Sequence, residues 1–143
     1  MNRRKAREIA LCLVFDFSFN SEEKPEELLN LYLTYFDEDD ASPIPDEIKN
    51  DEYIMKVYYG ISEKSAELDE IINKYSVNWE TSRFSRVSLA ILRLALYEII
   101  YIDTLPTEVS INEAVELAKK FDMDGSGSFI NGVLGAAVKE LGK

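Results

Sequence analysis

The most apolar stretch of the chain runs from Val87 to Ile102 and predicts a buried central helix. Thirteen of its sixteen residues are apolar, and the polar ones, Ser88, Arg93 and Glu98, are spaced five apart. At about 100° per residue these three residues are spread around the helix rather than gathered on one solvent-exposed face. The stretch is too short and too charged to span a membrane, which takes about 20 apolar residues. Arg93 and Glu98 should therefore have partners or reach the surface, because an unpaired buried charge is costly.

Six more helices are predicted, so the chain is expected to be all-α. Five of them show apolar residues three or four positions apart along one face, the sixth is a short turn in a mostly polar connection, and the chain has only six Gly and four Pro. These helices are predicted at 6–19, 25–36, 45–75, in a short turn near Trp79, at 110–121 and at 129–141. Four consecutive acids and two prolines between 37 and 45 predict an exposed loop, since proline cannot continue a helix.

Two local patterns predict how the last two helices begin. Ser110 and Glu113 match a capping box, with Ser110 as the N-cap and Glu113 reaching back to its amide. A glycine-rich turn follows Phe121, and Ser126 or Ser128 is predicted to cap the final helix.

The same turn has part of a calcium-binding pattern. Asp122, Asp124 and Ser126 stand at the first, third and fifth positions of such a loop, but Val133 stands at the twelfth. A bidentate glutamate normally occupies that twelfth position and supplies much of the affinity. We therefore expect no calcium site and interpret the segment as a turn between helices.

The chain is acidic overall and basic at its start. Sixteen Lys and Arg are opposed by 27 Asp and Glu, a net charge of −11. Residues 1–7 hold Arg3, Arg4, Lys5 and Arg7 and no acid, which leaves −15 for the remainder. Cations at a helix start oppose the helix dipole, so helix stability does not explain them. The pattern favours a small anion contact or a basic protein partner, with a solvated terminus as the alternative.

Catalytic and metal chemistry are disfavoured by composition. The chain has no histidine, the commonest general base and a frequent zinc ligand, and no phosphate-binding glycine motif. A single cysteine, Cys12, excludes an intramolecular disulfide and fits a reducing cytoplasm. We expect no enzymatic activity, cofactor, metal or membrane contact. Two classes remain open on these grounds, a nucleic-acid-binding helical adaptor and a protein-only binding module.

Four segments together carry a resemblance to a known family. They are Arg3–Leu11 (RRKAREIAL), Arg86–Glu98 (RVSLAILRLALYE), Leu105–Lys119 (LPTEVSINEAVELAK) and Phe129–Leu134 (FINGVL). In order and spacing they are similar to the NusB family of bacterial transcription antitermination factors. The match extends over the whole chain and is dense over 86–134. The combination is highly specific, whereas the basic start alone would be weak.

The resemblance implies one all-helical domain made of two packed helical bundles, expected at about 1–77 and 78–143. It also implies RNA binding without catalysis. Members of the family bind the single-stranded element boxA together with the ribosomal protein NusE. With other Nus factors they join elongating RNA polymerase. The residues expected to bind RNA are Arg3, Arg4, Lys5, Arg7, Lys119, Ser126 and Phe129, the last by stacking on a base.

The chain departs from the family pattern at several positions. Ser88 and Leu89 stand where the family usually has Asp and Arg, which predicts a missing ion pair on the central helix. Gly125 stands where an acid often precedes the serine of the last helix, and Gly135 where Asp is common. These departures affect individual predicted contacts, including the RNA contacts of the 122–129 loop, and leave the predicted fold unchanged.

Three alternatives stay open. One is a protein-only helical adaptor. Another is a domain like those fused to some RNA cytosine methyltransferases, which is disfavoured because no cofactor-binding domain follows Lys143. The third concerns assembly, since some members of the family form homodimers that would cover their RNA surface.

Overall fold

The computed structural model describes residues 1–34, 44–76 and 85–143. Within these ranges all regular structure is helical, which confirms the predicted all-α class. Seven helices are found there: α1 (Arg3–Phe19), α2 (Pro25–Thr34), α3 (Pro45–Lys49), α4 (Glu52–Tyr75), α5 (Arg86–Tyr101), α6 (Thr107–Phe121) and α7 (Ser126–Leu141). The acidic run at 37–40 and the short helix predicted near Trp79 lie outside the described residues.

The single long helix predicted from Pro45 to Tyr75 is wrong, because the chain forms two helices there. Pro45 opens α3, which ends at Lys49, and α4 begins only at Glu52. Between them the Asp51 side chain accepts a hydrogen bond of 2.9 Å from the amide of Ile54. An aspartate that binds the third amide after it stabilises a new helix start, so Asp51 caps α4.

The contacts divide the chain into two compact units, Met1–Glu63 and Lys64–Lys143, and the division lies within α4. In the first unit α1 and α2 pack on each other. Tyr58 is buried in this unit and donates its hydroxyl hydrogen to the carbonyl oxygen of Pro25 over 2.6 Å. The bundle boundary that we predicted near 77–78 lies outside the described residues and stays a prediction.

Helix α5 is the buried helix of the second unit and packs against both α6 and α7. Ile91, Leu94 and Ala95 are almost fully buried, as expected of a central helix, whereas Val87 in the first turn is only half-buried. Arg93 donates from Nε and Nη2 to the two carboxylate oxygens of Asp69, over 2.7 and 2.9 Å. In the described part of the chain every buried side-chain nitrogen or oxygen atom has a hydrogen-bond partner.

The predicted serine caps of α6 and α7 are wrong. Helix α6 begins at Thr107 with Pro106 as its N-cap, so Ser110 lies inside the helix and faces the core. Helix α7 begins at Ser126 itself, after Gly125 in the left-handed conformation with φ 89°, and no side chain caps it. Neither Ser126 nor Ser128 therefore acts as the cap.

A cluster of hydroxyl groups and one carboxylate joins the start of α5 to the end of α6. Ser85 caps α5, accepting a hydrogen bond of 2.9 Å from the Ser88 amide. The Ser85 hydroxyl donates to Oδ1 of Asp122 over 2.9 Å, and the Ser88 hydroxyl donates to Oδ2. Ser88, one of the two departures on the central helix, thus binds a carboxylate at the end of α6.

Candidate nucleic-acid interface

The basic start of the chain forms the first turns of α1. Asn2 caps this helix, since its side-chain oxygen accepts a hydrogen bond of 2.8 Å from the amide of Lys5. Arg3 and Arg4 are exposed, and Lys5 is half-buried. Three of the four predicted cations therefore reach solvent on the first turn of one helix, where they can meet an anion.

Arg7 is placed differently from the other three predicted cations. It is only 4% exposed, and its guanidinium carbon lies 5.9 Å from the ring centroid of Tyr53 in α4. The guanidinium carbon of Arg3 lies over the same ring at 4.4 Å. Both distances are within the range of a cation–π interaction. Arg7 thus belongs to the packing between α1 and α4 more than to the outer surface.

Lys119 lines a groove between α6 and the start of α7, which has a volume of about 530 Å³. Its ammonium group is exposed and pairs with Glu116 over 3.2 Å. Such an exposed pair contributes little to stability, so Lys119 is able to exchange Glu116 for another anion. The other lining residues are Asn112, Val115, Gly125, Gly127, Ser128 and Asn131.

The two remaining predicted site residues are buried. Stacking on a base requires an exposed ring face, but Phe129 is 0% exposed and belongs to the core of the second unit. Ser126 is 5% exposed, as the first residue of α7. The structure therefore corrects the predicted role of Phe129, and Ser126 is not at the surface of the groove.

Sequence reasoning missed Tyr53 and the two amide side chains of the groove, Asn112 and Asn131. Tyr53 lies 50 positions from Arg3 along the chain, and no local pattern links them. Asn112 and Asn131 stand within the segments that carry the family resemblance, and both are exposed. Amide side chains at the surface of a groove can bind base edges or the sugar–phosphate backbone.

A metal site and a membrane span each have requirements that can be compared with the described residues. No group of three or more His, Cys, Asp or Glu side chains in these ranges is arranged to hold a metal ion. None of the described helices combines the length and the apolar character needed to cross a membrane. The fold and this surface define an all-helical protein with a cluster of cations at the start of its first helix.

Comparisons with known proteins agree with this description. The model of the NusB family matches residues 4–139. The transcription antitermination protein NusB of Acetivibrio thermocellus is 44% identical over 140 residues, which cover 97% of this chain and 90% of that protein. The structure of T. maritima NusB superposes with a TM-score of 0.76 at 30% identity, covering 98% of this chain and 92% of that one.

A further solved neighbour is the complex of the antitermination factors NusB and NusE with dsRNA. The similarity has a TM-score of 0.75 at 27% identity and covers 96% of both chains. The family model and the relatives extend over nearly the whole sequence. The chain belongs to the NusB family, as its sequence motifs predicted.

Proposed function

We propose that this protein is a non-catalytic, RNA-binding transcription antitermination factor of the cytoplasm. It binds boxA-type single-stranded RNA together with the ribosomal protein NusE. With other Nus factors it joins elongating RNA polymerase. Its electrostatic anchor for RNA is the basic tip, defined here as Arg3, Arg4 and Lys5 at the start of α1.

Family membership over nearly the full chain supports this proposal, because the curated relatives are named as transcription antitermination proteins. The solved complex of NusB, NusE and dsRNA supports both classes of partner. Within this chain the observation that carries the proposal is the basic tip, with two exposed arginines and a half-buried lysine on one helical turn.

The charge distribution supports a partner as well. The chain has a net charge of −11 although the first seven residues contain four cations and no acid. An acidic body repels RNA outside the tip, so a basic co-binder would offset that repulsion. In this proposal the ribosomal protein NusE is that co-binder.

The test is an anisotropy titration of three labelled RNAs, with and without NusE, across a salt series. The RNAs are a boxA-like single strand, a scrambled single strand and a duplex. If the tip neutralises three phosphates, the plot of log affinity against log salt should have a slope of about −2, from about −0.7 per single-strand phosphate. Changing all three tip residues to Ala should flatten the slope by about the same amount. The affinity for the boxA-like and the scrambled single strand should fall alike, because phosphate contacts position the RNA and do not specify its sequence.

A matched control removes three cations from the same unit. Lys24, Lys49 and Lys56 are exposed, and changing them to Ala alters the net charge as much as the tip variant does. This control should keep the salt slope. If the tip variant and the unmodified protein share one slope and one affinity, the anchor lies elsewhere. A protein that binds NusE but none of the three RNAs would be the protein-only adaptor.

A further inference from the structure

Two cations of α1 converge on one aromatic ring. Arg3 and Arg7 are one helical turn apart, and like charges at that spacing repel each other. Their guanidinium carbons nevertheless lie 4.4 and 5.9 Å from the centroid of the Tyr53 ring. The electron-rich face of that ring attracts both groups, so it offsets the repulsion between them.

The ring is also held firmly. Tyr53 is the second residue of α4, two positions after the Asp51 cap, and is 7% exposed. Arg7 is buried, whereas Arg3 stays exposed. The contact therefore fixes the direction of the Arg3 side chain while leaving its guanidinium accessible to a ligand.

A free arginine side chain loses much rotational freedom when it binds a phosphate. An arginine already held in place loses less, so its contact is stronger for the same chemistry. On the basis of the proposed RNA binding, we propose that Tyr53 is a positioning residue. It holds the Arg3 guanidinium over its ring, preorganised for an RNA phosphate, while Arg7 secures the ring from the buried side.

The test is a double-mutant cycle in the RNA assay described above. Tyr53→Leu removes the ring and should lower the affinity for boxA-like RNA about two- to fivefold, the equivalent of an exposed cation–π contact. Tyr53→Phe keeps the ring face and should bind within about twofold of the unmodified protein. In an Arg3→Ala background, Tyr53→Leu should have no further effect, because the residue acts through Arg3.

The same cycle separates this inference from the function on which it rests. If Arg3→Ala leaves both affinity and salt slope unchanged, Arg3 does not anchor RNA and the inference is overturned, whereas the proposed function fails only if the triple tip variant is unchanged as well. If Arg3→Ala weakens binding but Tyr53→Leu does not, only the positioning role is wrong. If Tyr53→Leu lowers RNA affinity equally with Arg3 and with Arg3→Ala, Tyr53 has only a structural role. That result would also overturn the inference.

A second measurement uses the unmodified protein, so it tests the inference even if the Tyr53→Leu variant does not fold. The Nε–Hε order parameter of Arg3, measured by NMR relaxation in the free full-length protein, reports how firmly the side chain is held. We expect an order parameter above about 0.6, because values below about 0.6 are typical of flexible segments. A lower value would show that Arg3 is not preorganised and would overturn the inference.

Discussion

Ser110 in α6 donates its hydroxyl hydrogen to Oε1 of Glu98 in α5 over 3.0 Å. Both residues are 2% exposed. A carboxylate removed from water needs donors in place of the lost hydration, and Ser110 is one of them. The serine that matched a capping pattern thus has a tertiary role, joining two core helices.

Changing Ser110 to Ala should destabilise the fold by about 1–3 kcal/mol, because a buried carboxylate oxygen loses a donor. Urea unfolding followed by circular dichroism measures the change. Ser128 in α7 is exposed and provides the control, since Ser128→Ala should change stability by less than about 0.5 kcal/mol. Equal effects of the two substitutions would contradict a role for the Glu98 contact.

Changing Leu94 to Ala should cost about 2–5 kcal/mol by leaving a cavity in the second unit. Leu94 is fully buried in α5, whereas Leu31 in α2 is 55% exposed. The same truncation at Leu31 should therefore cost less than about 0.5 kcal/mol. A loss below about 1 kcal/mol at Leu94 would mean that α5 is not the centre of the core.

Calcium and chelators should leave the thermal midpoint unchanged. The Asp122 carboxylate already accepts hydrogen bonds from Ser85 and Ser88, and Val133 at the twelfth position is fully buried. Helix α7 also begins at Ser126, inside the would-be loop. Because a ligand that binds only the folded state raises the midpoint, a calcium-dependent rise of several degrees would contradict this prediction.

Alkaline pH should lower the free energy of unfolding of the first unit, because Tyr58 is buried there. Burial raises the pKa of Tyr58 above its usual value, which is about 10. Above that pH the unfolded chain releases a proton that folded Tyr58 retains, so the free energy of unfolding decreases as pH rises. Tyr58→Phe should cost about 0.5–1.5 kcal/mol at neutral pH, for the lost hydrogen bond to Pro25.

The phenylalanine variant cannot release this proton. Its deficit in unfolding free energy, relative to the unmodified protein, should therefore shrink as the pH rises past about 10. Urea titrations at neutral and alkaline pH measure that difference. A deficit that stays constant across this range would show that Tyr58 titrates alike in the folded and unfolded chain.

The helices were predictable because their apolar spacing is strong, but their boundaries depend on contacts that spacing does not report. The apolar face of α4 begins at Ile54, and no apolar spacing marks the Asp51 cap before it, so the break between α3 and α4 was not predicted. Conversely, the pattern at Ser110 lies inside a helix that had already begun after Pro106. A capping pattern alone cannot tell a helix start from a helix interior.

The site residues were predicted unevenly for a similar reason. Phe129 is buried together with Ile130, Val133 and Leu134 of α7, a spacing of apolar residues that favours a place in the core. The stacking role came from the resemblance alone. The exposed arginines followed from charge pattern and position. The contact of Arg3 with Tyr53 could not be foreseen, because it depends on how α1 and α4 pack within the first unit.

The order in which α5, α6 and α7 contact one another also bears on folding kinetics. Each of these helices packs on the next along the chain, and α5 also reaches α7. Contacts between neighbours in sequence close short loops, and helical proteins of this kind fold within about microseconds to milliseconds. We therefore expect the α6–α7 hairpin to form early. The Asp122 bonds to Ser85 and Ser88 bridge a longer stretch of chain and would lock α5 in place afterwards.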